Sequence, residues 1–179
     1  LFSSVVPKAY KNIKVYLQLQ KKLEKENYFS FELKKTYKTF DDVLNSYNAK
    51  YLISGIESLK KLKDNSIDYI FSHSVLEHVR KYELNELIKE MYRVLKPNGV
   101  ISHNINYKDH LDESLNNLRF SEKLWESEFF VESGFYTNRI PAVEMHDFFK
   151  KNGFNLIEEN FGKWDKLPIK RSALSEEFR

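Results

Sequence analysis

Cysteine is absent from the 179 residues, so disulfides and thiolate metal sites are excluded outright. A reducing cytoplasm is therefore permitted, and it is the compartment we expect. Glycine is scarce and scattered. Gly55, Gly99, Gly134, Gly153 and Gly162 each stand alone, leaving no glycine-rich turn whose backbone amides could approach a ligand closely. No apolar run approaches the roughly 20 residues that cross a bilayer. The first residues lack the charged segment, apolar core and cleavage site of a signal peptide. A basic excess is also missing: 29 Lys and Arg against 26 Asp and Glu leave a formal charge of +3, too little to mark a nucleic-acid partner. The lysines of KKLEKE and ELKKTYK are interspersed with glutamates and read as a solvated face, with a membrane-surface or polyanion contact as the alternative.

What is present is enough to bury one core, since 41% of the residues are hydrophobic. No repeat, low-complexity tract or linker divides the chain, so residues 1–179 read as a single domain. The stretch DNSIDYIFSHSVLEHVRKYELNELIKEMYRVLKPNGVISHN spells out a strand, helix, strand unit. SIDYIFS is a short apolar run; Leu84, Leu87, Ile88, Met91, Val94 and Leu95 then follow the spacing of one buried helix face. Pro97-Asn98-Gly99 ends that helix, and GVISHNI is apolar enough for a strand covered on both faces. The two strands are expected to run parallel through a right-handed crossover. Ligands of such sheets bind beyond the carboxyl ends of the strands, here Ser72-His73-Ser74 and Ser102-His103-Asn104.

Elsewhere the pattern predicts a helix over Lys8–Lys25, an irregular stretch from Asn27 to Thr39, and a short helix to Tyr47 capped by Asp41. It also predicts a strand at Lys50–Ile53, a helix over Ser121–Phe130, and a helix after Pro141 that runs to Asn152 and ends on a left-handed Gly153. A last strand is expected at Asn155–Glu159.

The string SIDYIFSHSVLEHV, a helix ending RVLKPNG and the strand GVISHNI together resemble the central half of a class I S-adenosylmethionine-dependent methyltransferase of the type 11 kind. The resemblance implies a Rossmann-like α/β fold, a parallel sheet with flanking helices, in which Asp68 opens the fourth strand and Val75-Leu76-Glu77-His78-Val79 leads into the next helix. It implies S-adenosylmethionine as cofactor. The downstream run DHLDESLNNLRFSEKLWESEFFVESGFYTNRI is similar to a subgroup associated with bacterial surface-glycan gene clusters. A small molecule or a glycan is therefore the expected acceptor, with no nucleic-acid partner. The family's glycine-rich cofactor loop and the acidic residue of its second strand have no counterpart here, and the chain opens at Leu1. It reads as a truncated domain lacking the first strands and the last. The alternative is a catalytically inactive interaction domain.

By the same resemblance the turn after the third strand holds the adenine, through the backbone of Ile56 and with Glu57 either substituting for the usual acid or facing solvent. Ser72, His73 and Ser74 would meet the methionine and ribose parts of the cofactor. The plainer reading of the serines is that they satisfy backbone groups in the turn. Glu77 is expected to cap the next helix while His78 packs beneath the turn. An imidazole titrates near neutrality, so His73, His103 or His110 could act as a base when the acceptor is a hydroxyl. The segment 109–139 is expected to cover the site, with Trp125 orienting the acceptor and Arg119 and Arg139 holding an anionic group. Otherwise its aromatics fill a local core. Histidines 73, 78, 103 and 110 with nearby carboxylates raise a metal site as an alternative, but HExxH is absent and no metal ligand is assigned.

Overall fold

The computed structural model describes residues 37–179, so the helix expected over Lys8–Lys25 and most of the stretch from Asn27 to Thr39 lie outside the described residues. The chain divides between Tyr51 and Leu52 into two units.

In the first unit α1 spans Phe40–Ser46. Its cap is Thr39 rather than Asp41. The Asp42 amide donates to Thr39 Oγ1 (3.1 Å) and the Thr39 amide to the Asp42 carboxylate (3.0 Å), a reciprocal capping box that leaves Asp41 in the first turn without capping duty.

The second unit opens on Leu52 and Ile53. The strand expected at Lys50–Ile53 is absent: these residues are irregular and Ile53 is 82% exposed. A strand needs a ladder partner, and the sheet of the described residues holds only two strands, neither pairing with this segment. α2 follows at Ile56–Lys60, after Gly55 turns the chain at φ +51°. Then come β1 (Ile67–His73), α3 (Lys81–Val94) and β2 (Leu95–Asn104).

β1 and β2 pair in parallel, with Ile70 opposite Ile101, Ser72 opposite His103 and His73 opposite Asn104. The register is interrupted near its start, where Ile67 faces Leu95 but Tyr69 already faces Val100, so Lys96–Gly99 loops out. Gly99 fits because a Cβ there would lie 2.7 Å from Leu95 Cγ and 3.0 Å from the Lys96 carbonyl. Arg93 anchors this corner. Its guanidinium donates to the Leu59 and Leu62 carbonyls (2.9 and 3.0 Å) and pairs with Glu90 and Asp64, tying the end of α3 to the chain leaving α2. Asp68 pairs with Lys96 (2.7 Å).

The core lies on one side of the sheet, where Leu84, Ile88 and Met91 of α3 meet Leu76, Ile140 and Met145, with Ile70, Ile105 and Phe149 packed against them. Full burial of each such side chain contributes about 2 kcal/mol. The opposite side is open. Tyr69, Phe71 and Val100 are exposed, and the Tyr69 and Phe71 rings stack at 5.9 Å, so the expectation of strands buried on both faces is corrected to one covered face. Burial alternates along both strands because α3 and α6 cover the Ile70 side alone.

Past β2, the helix expected over Ser121–Phe130 is two single turns, α4 (Glu122–Trp125) and α5 (Glu128–Val131). Ser127 breaks it: its backbone is extended and its hydroxyl donates to the Leu124 carbonyl (2.6 Å), replacing the next helical bond. α6 spans Ala142–Lys151 and ends as predicted on Gly153, at φ +94°, whose amide donates to the Lys150 carbonyl (3.1 Å). The strand expected at Asn155–Glu159 is absent; Leu156 and Ile157 are exposed and find no ladder partner among the described residues. The architecture is α/β with a parallel sheet and flanking helices, consistent with a Rossmann-like fold. Among the described residues no helix is long and apolar enough to cross a membrane.

Candidate active site

Parallel pairing brings the ends of β1 and β2 to one edge. There Ser72 Oγ and His103 Nδ1 lie 2.7 Å apart, joined by a hydrogen bond across the register. The His103 ring stacks on Phe149 at 5.5 Å, and its Nε2 is buried without a partner. Burial lowers the imidazole's pKa, which keeps it neutral at physiological pH. With one nitrogen held by Ser72 and the other shielded, His103 fixes the serine hydroxyl and presents no free nitrogen to solvent. His73 points to the opposite, open face and is exposed. Ser74 leaves the strand in the left-handed region (φ +53°), its amide donating to the Asn104 carbonyl (2.9 Å).

The chain then makes one 3-10 turn, Leu76–His78, before α3. Leu76 anchors it in the core. Asn138, 2% exposed, clamps it from across the fold, its side-chain amide donating to the Leu76 and Val79 carbonyls (2.8 and 2.9 Å) and its backbone amide to the Glu77 carbonyl (2.7 Å). Glu77 does not cap α3. Its Oε1 accepts from the Asn106 amide (3.2 Å) in the loop after β2, and its Oε2 is buried with no partner. His78 is exposed rather than packed beneath the turn; its Nδ1 sits 2.8 Å from the Tyr136 carbonyl, which can only accept, so Nδ1 carries the proton and Nε2 the free lone pair. The His110 ring meets the His78 ring edge-on at 4.8 Å. Burial pushes the nearby Tyr107 hydroxyl up to about 12, with the Glu159 and Glu77 charges adding to it.

The segment 109–139 is built around two buried charges. Asp109 is fully buried and pairs with no cation among the described residues; its carboxylate accepts from the amides of Leu111 (2.9 Å), Asp112 (2.8 Å) and Asn116. Burial alone would raise its pKa, but the surrounding backbone donors outweigh that and hold the carboxyl below its ordinary value. Arg139 is the second charge. Its backbone is left-handed (φ +57°), and its guanidinium donates to the Asn117 and Phe120 carbonyls (3.0 and 2.8 Å) and pairs with Glu122. Trp125 is fully buried, donates to the Thr137 carbonyl (2.7 Å) and stacks on Phe120 at 5.5 Å. Trp125 and Arg139 thus hold the segment together from inside. Arg119 is exposed and, with Leu111, Asn116 and Phe120, lines an open cavity of about 520 Å³.

Ile56 begins α2, where the Glu57 and Ser58 amides already donate to the Ser54 and Gly55 carbonyls; Glu57 is exposed and pairs with Lys60 (2.8 Å). Sequence reasoning missed Asn138 and reached Asp109 only as one of the carboxylates near the histidines, not as the centre of its loop. The polar stretch from Asp109 to Asn117 signals a loop, but nothing in the linear order tells that Asn138 reaches back to the 76–79 turn.

The family described as a methyltransferase domain matches residues 18–102. No curated protein and no solved structure matches the chain. The matched stretch takes in Ile56, Glu57 and Ser72–Ser74 and stops before His103, His110, Arg119, Trp125 and Arg139. Residues 18–102, which include β1, α3 and most of β2, thus match the methyltransferase domain family, and the match is consistent with a class I S-adenosylmethionine-dependent enzyme.

Proposed function

We propose that this chain contributes the acceptor side and part of the cofactor side of an enzyme that moves a methyl group from S-adenosylmethionine to a small molecule or glycan. One observation carries the reading: parallel register gathers Ser72 and Ser74, inside the stretch that matches a methyltransferase domain, with His103 and Asn104, just beyond it, at one carboxyl edge. Ser72 and Ser74, with the backbone at Ile56, take the cofactor. When bound, S-adenosylmethionine would supply an already activated sulfonium methyl, and these residues would hold it in line with the acceptor atom. Alignment supplies much of the acceleration. Among the histidines His110 is the best placed to accept a proton from an acceptor hydroxyl, being partly exposed on the loop after β2. Exposed Arg119 in its cavity suits an anionic group on the acceptor.

The test is calorimetric titration of the 179-residue chain with S-adenosylmethionine, beside the Ser72→Ala variant. Weak binding that Ser72→Ala weakens further is expected, because the residues present include no glycine-rich turn. No binding by the parent chain would favour the second reading, an interaction domain without catalysis, which the same missing turn supports.

A further inference from the structure

We propose that Glu77, His78 and His110 form a binding site for a divalent transition-metal ion, a feature that methyl transfer itself does not require. One carboxylate oxygen and one nitrogen from each imidazole already lie within 4.8 Å of one another. Three independent features single out this cluster. Glu77 is 3% exposed, its Oε2 meets no donor, and no ion pair involves it among the described residues. A buried carboxylate oxygen in that condition is costly unless a cation or donor comes to it. The Tyr136 carbonyl fixes His78 as the Nδ1–H tautomer and leaves Nε2 as the ligand atom, the arrangement by which a backbone carbonyl orients a metal-binding histidine. His110 adjoins Asp109, whose backbone donors pin the loop that carries it.

The donor set selects the ion. Two imidazoles and one carboxylate suit zinc, cobalt or ferrous iron, whereas calcium and magnesium prefer all-oxygen shells. Bonds of about 2.1 Å require ligand atoms roughly 3.4 Å apart. The triangle here must tighten on binding, and His110, on a loop and only partly buried, is the ligand placed to move. Three protein ligands leave a coordination position open. Where the methyl-transfer reading holds, a bound ion would replace His110 as the means of activating the acceptor, because an acceptor hydroxyl bound at that position would lose its proton more readily. Ion binding itself does not rest on that reading.

The experiment is titration of the untagged 179-residue chain with zinc chloride by calorimetry, with cobalt(II) absorption as a second readout. We expect one ion per chain and an absorption envelope of a nitrogen and oxygen site. Glu77→Gln keeps the acceptor for Asn106, and His110→Ala removes a partly exposed ring. Each should weaken affinity by about 100-fold or more, beyond the range seen on disturbing outer-shell partners. His146→Ala, which removes a histidine paired with Glu159 elsewhere, should bind as the parent does. Circular dichroism checks the fold of each variant, and should Glu77→Gln fail to fold, His110→Ala carries the test. No uptake by the parent chain, or affinity within threefold of the parent in a folded Glu77→Gln or His110→Ala, overturns the proposal. So does equal loss in His146→Ala.

Discussion

Replacing Asn138 by alanine removes the clamp on the turn that carries Glu77 and His78. The side chain makes three hydrogen bonds: to the Leu76 carbonyl (2.8 Å), to the Val79 carbonyl (2.9 Å), and from the Ile140 amide (3.2 Å). At about 1 kcal/mol net for each, with buried groups left unpaired, Asn138→Ala should cost roughly 3 to 4 kcal/mol. For a typical urea dependence that moves the unfolding midpoint down by roughly 1 to 2 M. Trp125 fluorescence reports the transition, because the indole donates to the carbonyl of Thr137, the neighbouring residue. Asn138→Asp offers a sharper control. It keeps an acceptor for Ile140 but sets a carboxylate against two carbonyls, so its folded pKa is raised. Its stability is then greatest when protonated and is lost as pH rises through that folded value. A cost below about 1 kcal/mol for Asn138→Ala, or an Asn138→Asp variant indifferent to pH, would refute the clamp.

Asp109 titrates in the opposite sense. Its folded carboxyl lies below its ordinary value, so the stability it contributes is complete above the unfolded value of about 3.9 and is lost as pH falls through the lower folded one. Asp109→Asn should lose about 2 kcal/mol at pH 7 and show a shallower acid decline than the parent in urea titrations; parallel acid curves would count against the buried nest. Ser74→Gly relieves a left-handed non-glycine residue and should gain about 0.5 to 1 kcal/mol, measured by the same unfolding midpoint, while a clear loss would mean that the hydroxyl supports the fold. Gly153→Ala places a methyl 2.8 Å from Tyr92 Cζ at φ +94° and should cost about 1 to 2 kcal/mol; an unchanged midpoint would show that the end of α6 can yield.

The parts legible in the sequence were those governed by local periodicity. The spacing of Leu84, Ile88, Met91 and Val94 marked α3, and the apolar runs on either side marked β1 and β2, so the parallel pair and its polar edge followed. The predicted strands at Lys50–Ile53 and Asn155–Glu159 have the right residue types, but a strand exists only beside another strand, and residue type does not supply one. At the site, the histidines and Glu77 were visible as chemistry, whereas their pairing was not. The Ser72–His103 bond depends on register, and the Glu77, His78 and His110 grouping depends on a loop turning back after β2. Trp125 and Arg139 drew notice as ligand-facing types, yet their burial is set by Thr137, Asn117 and Glu122, which no short-range pattern links to them.

The strip Tyr136–Ile140 reaches the 76–79 turn across separations of 58 to 62 residues, through His78 with Tyr136 and through Asn138 with Val79 and Leu76. Closing loops of that length carries an entropic penalty that must be met before the bonds form, which makes such contacts late events in folding. A chain emerging from the ribosome therefore assembles β1, α3 and β2 from near neighbours while Glu77 and His78 still wait for Asn138. Backbone pairing comes first in this molecule and chemical competence last, so a nascent chain halted before residue 138 should pair β1 with β2 while the α3 face that Ile140 and Met145 fill stays open and the turn at its edge stays unset.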